Sequence, residues 1–377
     1  MSGPILPPAW LGVLGGGQLG RFFAIAARQM GYRVAVLDPD PASPAGALAD
    51  RHLAAGFDDA RALDELAGCC AAVTTEFENV PAASLERLAG RTRVAPSPGC
   101  VATAQDRIRE KASFARYGLP VGPYAPVERA DDLERPELYP AILKTARLGY
   151  DGKGQVRVAS PGEAQAAWRA LGCVPCVLER ELALDCEVSA IVARGEGGEL
   201  RVFPVVENRH RRGILELSIV PARVDSALAE RARTLAGGLA AGLGFVGVLA
   251  VEYFVVRGEL LANEIAPRPH NSGHYTLDAC ATSQYEQQVR ALCGLALGDE
   301  RLFAPAVMVN VLGDAWRGGE PRWEVVLADP GAKLHLYGKR EPRPGRKMGH
   351  YTVLGESVED ALERALALKA RLVRGDE

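Results

Sequence analysis

Apolar positions in the first hundred residues fall into short runs separated by stretches of helical spacing. Residues 11–14 read as a buried strand and Gly15-Gly16-Gly17-Gln18-Leu19-Gly20-Arg21 as a tight turn. A helix through Met30 follows, stopped by Gly31. Strands at 32–37 and 71–77 and a helix at 81–88 complete a parallel α/β pattern. One long amphipathic helix is predicted over 98–117, then strands at 141–145 and 177–178, and an antiparallel pair at 188–193 and 200–206. An Ala-rich helix over 225–241 leads to two β-type runs around Arg257-Gly258-Glu259, the pattern of a hairpin. Beyond it the pattern gives a helix at 278–292, strands at 306–312 and 333–337, and a terminal helix at 358–374. The change from parallel α/β to antiparallel sheet puts a domain boundary near residues 100–115.

Composition narrows the class. Hydrophobic residues make up 48% of the 377 and charged ones 24%, the balance of an ordinary globular chain. A net charge of −3 supplies no global field for nucleic acid or membrane, so an anionic ligand must meet a local cluster. Eight cysteines without framework spacing fit a reducing cytosol, and the lone Cys173-Val-Pro-Cys176 reads as coincidence. The N-terminus holds three prolines and no cationic run, so no signal peptide is expected. The uncharged stretch 234–251 is long enough for a membrane span, yet its glycines suit a helix end, a turn and a buried strand.

Candidate chemistry centres on the hairpin. If its turn centres on Gly258, Glu252 faces Glu264 on one side of the sheet. Opposed like charges are unfavourable, and a divalent cation would turn them into a site, with Asn263 adding an oxygen. A one-residue register shift would instead send one glutamate to solvent. Lys144 ends a strand that enters Arg147-Leu-Gly149-Tyr150-Asp151-Gly152-Lys153-Gly154-Gln155, a loop offering amides and cations to a polyphosphate, or a plain hairpin tip. Arg107 and Lys111 lie on the long helix, where a solvated face is the plain alternative. The stretch from Lys339 to His350 sets five cations against one glutamate, an anion trap or a solvated basic loop. Gly15, Gly17, Gly20 and Asp38 also match a dinucleotide fingerprint, which would make a nicotinamide enzyme.

Taken together, GGGQLGR, TTEFENVP, GYDGKGQ, NEIAPRPHNSGHYT and RPGRKMGH resemble the 5-(carboxyamino)imidazole ribonucleotide synthase family of the ATP-grasp superfamily, over nearly the whole chain. The resemblance implies a mixed α/β and α+β chain. An N-terminal parallel α/β domain (1–104) would precede an ATP-grasp region (105–310, lid about 120–190) and a small C-terminal cap (311–377). It implies carboxylation of 5-aminoimidazole ribonucleotide with bicarbonate and ATP, through carboxyphosphate, in purine biosynthesis. ATP would meet Arg107, Lys144, Gly149, Tyr150, Asp151, Gly152, Lys153, Gly154, Gln155, Glu179, Arg180, Glu181, Leu182, Glu187, His210, Asn263 and Glu264. Glu252 and Glu264 would hold Mg²⁺ or Mn²⁺. The ribonucleotide would meet Gly17, Gln18, Leu19, Glu76, Tyr150, Lys153, Arg268, His270, Asn271, Lys339 and Arg346. Asp151, Lys339 and Arg268 would be catalytic, with Asp151 the candidate for taking the amine proton. Lys153 stands where relatives often carry arginine, which puts bidentate contact there in question. The same resemblance implies a cytoplasmic homodimer acting on small molecules, with no nucleic-acid or membrane partner. A formate-using glycinamide ribonucleotide transformylase shares the metal hairpin and phosphate loop but differs at GGGQLGR and lacks the RPGRKMGH tail. A biotin carboxylase shares bicarbonate activation but is usually longer, with a different N-terminal motif. A nonenzymatic nucleotide-binding regulator would not need the acidic pair.

Overall fold

The computed structural model describes residues 3–149 and 154–373. Buried, mostly apolar runs make β1 (Trp10–Leu14), β2 (Arg33–Leu37) and β4 (Ala72–Thr75) the centre of a parallel sheet, with the short, more polar β3 (Arg51–Leu53) and β5 (Arg93–Val94) at its edges, in the order β3-β2-β1-β4-β5. Helices α1 (Gln18–Gln29), α2 (Ala60–Cys69) and α3 (Ala82–Ala89) cross between its strands. Helix α1 turns Phe22, Phe23 and Ala27 inward. The Phe22 ring meets Tyr285 at 5.2 Å and Tyr337 at 5.8 Å, so the first sheet shares its core with residues far along the chain.

Helices α4 (Pro98–Ala104) and α5 (Arg107–Arg116) lead to a small antiparallel sheet. Its strands are β6 (Tyr124–Val127), β7 (Ala141–Thr145), β8 (Gln155–Val158) and β9 (Cys176–Arg180), ordered β6-β9-β7-β8. Helix α6 (Pro161–Ala170) covers it, and Leu143, Val158, Ala164 and Leu178 form a core of its own.

The large sheet follows: β10 (Cys186–Arg194), β11 (Leu200–Val202), β12 (Val206–Arg211), β13 (Ile214–Val220), then helix α7 (Ser226–Gly242), β14 (Gly247–Val256) and β15 (Glu259–Ala266). Helices α8 (Thr276–Ala279) and α9 (Gln284–Cys293) precede β16 (Ala306–Leu312), α10 (Trp323–Leu327), β17 (Ala332–Leu336), β18 (Lys347–Leu354) and α11 (Val358–Leu372). The strand order is β15-β14-β10-β12-β13-β16-β18-β17, with β11 added on β10, so the C-terminal strands extend the same sheet.

Four expectations are corrected. The helix expected over 98–117 is two, because Asp106 leaves the helical path and caps α5, accepting from the amides of Ile108 and Arg109. The helix expected over 278–292 is also two. Cys280 runs extended and bridges to Leu302, and Ser283 caps α9. Strand β13 follows a turn at Arg212-Gly213, both at positive φ, that the apolar pattern did not single out. The last residues of the basic stretch are strand β18 between β16 and β17, not loop. The 234–251 run ends α7 and begins β14, and no helix among the described residues is long and apolar enough to cross a membrane.

Candidate active site

The hairpin turn consists of two residues, Arg257 and Gly258, both at positive φ, which pairs Val256 with Glu259 and Tyr253 with Ala262. That register alone would set Glu252 opposite Asn263. One extra residue in β15, Asn263, shifts it, and Glu252 faces Glu264 after all. A turn taken as one residue longer and an unforeseen bulge thus cancel, and the expected pairing holds.

Alternation along the sheet gathers Glu187 and Ser189 of β10, Asn208 and His210 of β12, and Glu252 and Glu264 on one face. The Nδ1 of His210 lies 3.1 Å from Glu187, and Arg107 Nη1 lies 3.1 Å from Glu264 Oε2. A buried polar chain crosses this face. Ser218 donates to Asn208 Oδ1 at 3.1 Å, and Asn208 Nδ2 donates to Ser189 Oγ at 3.0 Å. Ser189 Oγ meets Ser272 Oγ at 2.8 Å, and Ser272 meets His270 Nδ1 at 2.9 Å. With Nδ1 also accepting from the Ser272 amide, the His270 proton sits on Nε2, 3.1 Å from Glu252 Oε1.

Burial and the facing Glu264 push Glu252 up to about 7, His210 partly offsetting them. Burial works against the His210 charge, but the nearby Glu187 and Glu252 carboxylates raise its pKa above the ordinary value. Burial, followed by the Arg268 charge, drives His270 far below its usual range and keeps it neutral. The Oδ1 of Asn263 and both amide atoms of Asn271 are buried without hydrogen-bond partners. Two opposed carboxylates, with an orphaned carboxamide oxygen on the residue next to Glu264, are a donor set that fits a hard divalent cation.

Beside this face, Glu179 is buried between Lys144 Nζ at 2.8 Å and Lys111 Nζ at 3.2 Å. Burial opposes its charge, but Lys144, Lys111 and Arg107 outweigh that and hold it at about 2. Lys111 is therefore no solvated helix residue. Arg180 and Glu181 continue from β9, their amides donating to Pro123 O and Pro140 O, while the Glu181 side chain pairs with Arg157 at 3.0 Å. Leu182 follows on the connection to β10. Gly149, Gly154 and Gln155 flank the glycine-rich loop, with Gln155 opposite Lys144 on β8. Tyr150, Asp151, Gly152 and Lys153 lie outside the described residues.

The N-terminal glycine turn supports no dinucleotide. Gly17 and Gly20 donate to the two oxygens of Glu76 at 2.7 and 2.9 Å, and Gly16 donates to Asp38 at 2.6 Å. A pyrophosphate would need the amides that Glu76 fills. The close approach explains the glycines: a Cβ on Gly17 would lie 2.5 Å from Glu76 Oε1. Gln18 opens α1, while the Leu19 side chain sits in the core. Arg268 is bonded to Glu78 at 2.6 Å. Burial disfavours its charge, and Glu78, then Glu76 and Glu264, more than restore it. It thus stands between the glycine turn and the acidic pair.

The basic stretch is partly self-neutralised. Arg343 pairs with Glu341, Arg346 donates to the Glu341 carbonyl at 3.0 Å, and Lys339 donates to Lys347 O at 2.8 Å. Behind it, donor atoms of Asp278, His335 and His350 lie within 4.8 Å of one another. The His335 and His350 rings stack 20° from parallel, so their in-plane lone pairs do not converge on one ion. Glu78 and Glu110 were not singled out in the sequence, since nothing local marks a side chain whose partner, Arg268 or the Ile265 amide, is far away.

Comparisons with known proteins follow this layout. The ribonucleotide synthetase preATP-grasp domain model matches residues 9–105, the ATP-grasp domain model 112–285, and the phosphoribosylaminoimidazole carboxylase C-terminal domain model 306–364. The chain is 44% identical to the N5-carboxyaminoimidazole ribonucleotide synthase of Bacillus subtilis, over 95% of each chain. A crystal structure of the ADP complex of such a synthetase superposes with a TM-score of 0.92 at 44% identity, covering 98% of both chains. The Aspergillus clavatus synthase in complex with ADP and 5-aminoimidazole ribonucleotide superposes with a TM-score of 0.87 at 31% identity, over 97% of this chain and 98% of that one.

Proposed function

The chain belongs to the N5-carboxyaminoimidazole ribonucleotide synthase family of ATP-grasp ligases, and from that premise we propose how its residues divide the work. It carries out the ATP-dependent carboxylation of 5-aminoimidazole ribonucleotide in purine biosynthesis. In our reading a bicarbonate oxygen attacks the γ-phosphorus and ADP leaves. The amine then attacks the carboxyl carbon of carboxyphosphate, or of the CO₂ released from it, phosphate leaves, and the amine gives up one proton, for which Asp151 is the candidate.

Arg107 and Lys144 bind and orient the phosphates, with Glu179 holding the Lys144 ammonium in place. With the Arg180 and Glu181 amides already engaged, backbone reading of adenine rests on Leu182 and on the carbonyls of 179–182. Glu187, steadied by His210, takes the ribose hydroxyls. Glu252, Glu264 and Asn263 would hold Mg²⁺, which supplies charge neutralisation on the transferring phosphoryl oxygens. Residues 149–155 form the lid that keeps water from carboxyphosphate. On the acceptor side, Arg268, His270, Asn271, Lys339 and Arg346, with the turn at Gly17, Gln18, Leu19 and Glu76, position the ribonucleotide; Arg268 and Lys339 carry its charge during reaction. We divide the chain at 1–104, 105–310 and 311–377, and expect a cytoplasmic homodimer, in keeping with eight unpaired cysteines.

The observation that carries this reading is the opposed pair Glu252 and Glu264 beside the orphaned Asn263 oxygen. Coupled-enzyme measurement of ADP release tests it: full rate should require both bicarbonate and 5-aminoimidazole ribonucleotide. Equal turnover with formate, or NADH binding without ATP binding, would reverse it.

A further inference from the structure

The pairing of Glu252 with Glu264 depends on a single bulged residue at the sheet's edge, and something must hold that bulge. Strand β15 is the outermost strand of the large sheet. In a regular edge strand, outward-facing amides recur every second residue. Here the Ala262 amide donates outward to Pro120 O at 2.6 Å, and the next amide to do so is Ile265, three residues on, at 2.7 Å to Glu110 Oε1. The odd spacing is the bulge itself. Without it the outward amide would be that of Glu264, and the Glu264 side chain would leave Glu252's face.

Glu110 is buried on α5, one turn after Arg107, which pairs with Glu264 Oε2. One helix therefore takes the backbone of the shifted strand with Glu110 and its displaced side chain with Arg107. A buried carboxyl beside Glu264 is otherwise a liability: burial, with Glu264 adding and Arg107 opposing, pushes Glu110 up to about 8. We propose that Glu110 is a positioning residue that locks the Asn263 bulge, and through it the register that makes Glu252 and Glu264 a shared cation site. The proposal rests on the reading of those two acids as metal ligands. What the lock requires of residue 110 is an acceptor at that reach, not a charge.

The test uses Mn²⁺ binding to the full chain in the presence of ADP, read from the electron paramagnetic resonance of free Mn²⁺, with amide exchange at Ile265 measured alongside. Glu110→Asp withdraws the acceptor by one methylene and should weaken Mn²⁺ binding about tenfold or more, with faster exchange at Ile265. Glu110→Gln keeps the acceptor and should stay within about twofold of the parent, a rescue that loss of charge does not predict. Glu264→Gln is the control for the metal reading. If it leaves Mn²⁺ affinity unchanged, that reading fails, and the lock stands or falls on Ile265 exchange alone. If Glu264→Gln abolishes binding while Glu110→Asp binds as the parent does, the lock is wrong and the metal site survives. Glu110→Gln as weak as Glu110→Asp also overturns it, as does rapid exchange of the Ile265 amide in the parent. Should Glu110→Asp not fold, the Gln variant and the parent's exchange decide.

Discussion

Two regions of this chain read alike in the sequence, each as a turn inviting a charged ligand, and the structure gives them opposite electrostatics. At the N-terminal glycine turn the demand for negative charge is met from within, because Glu76 and Asp38 fill the amides of Gly16, Gly17 and Gly20. At the β14–β15 hairpin the balance is left open. Glu252 and Glu264 face each other beside a neutral His270, with the Arg107 guanidinium on Glu264 and His210 only partly offsetting Glu252, and the neighbouring Asn263 keeps a buried oxygen without a partner. A glycine fingerprint therefore reports a close backbone approach, while the ligand is decided by what faces it. The pre-filled turn orients; the unfilled pair recruits.

The largest expected effect is at the open pair. Glu264→Gln should cost turnover about a hundredfold or more, since a metal's charge stabilisation is worth several kcal/mol, with an unchanged far-ultraviolet circular dichroism spectrum. Undiminished turnover would erase the contrast between the regions. Next comes pH. A cation must displace the proton that Glu252 holds up to about 7, so Mn²⁺ affinity by titration should fall roughly fivefold from pH 7 to pH 6. The sign for folding is the reverse. A carboxyl whose folded pKa is raised binds its proton more tightly when folded, so its share of metal-free stability is present below about 4.5 and declines as pH rises through 7. Glu179 behaves oppositely: its contribution is present above about 4.5 and lost as pH falls toward 2, measurable by urea denaturation across that range.

At the filled turn, Glu76→Ala should destabilise the fold by about 1–3 kcal/mol by orphaning two amides, and inorganic phosphate should restore part of the melting temperature in the variant but not in the parent. A variant indifferent to phosphate would mean that the turn does not bind anions once emptied. The smallest effect is at the helix serving the open pair. Asp106→Ala removes the α5 cap and should cost about 1 kcal/mol, read from the urea midpoint.

Much of the fold was legible because strand interiors are written in apolar runs: 141–145 and 306–312 match β7 and β16. The breaks at Asp106 and Cys280 were hidden because amphipathic spacing runs through both; the local caps at Asp106 and Ser283 restart each helix, and hydrogen bonds to distant partners help to end the one before. Gln105, for one, is drawn to the carbonyls of Glu78 and Val80. Strand β18 was masked by the cations that precede it. In the site, individual side chains could be named from the sequence, but most of their partners could not. Lys144 and Glu179 were both named, yet nothing within either neighbourhood says that they bond across 35 residues. The hairpin register came out right only because two structural details offset each other.

The seam between α1 and the later residues Tyr285 and Tyr337 also bears on how the chain is made. As the protein leaves the ribosome, the first sheet emerges long before the aromatic surfaces that seal its outer helix. Phe22 must stay uncovered until most of the remaining chain has been synthesised, and a nascent fragment ending near residue 105 is a natural client for a chaperone.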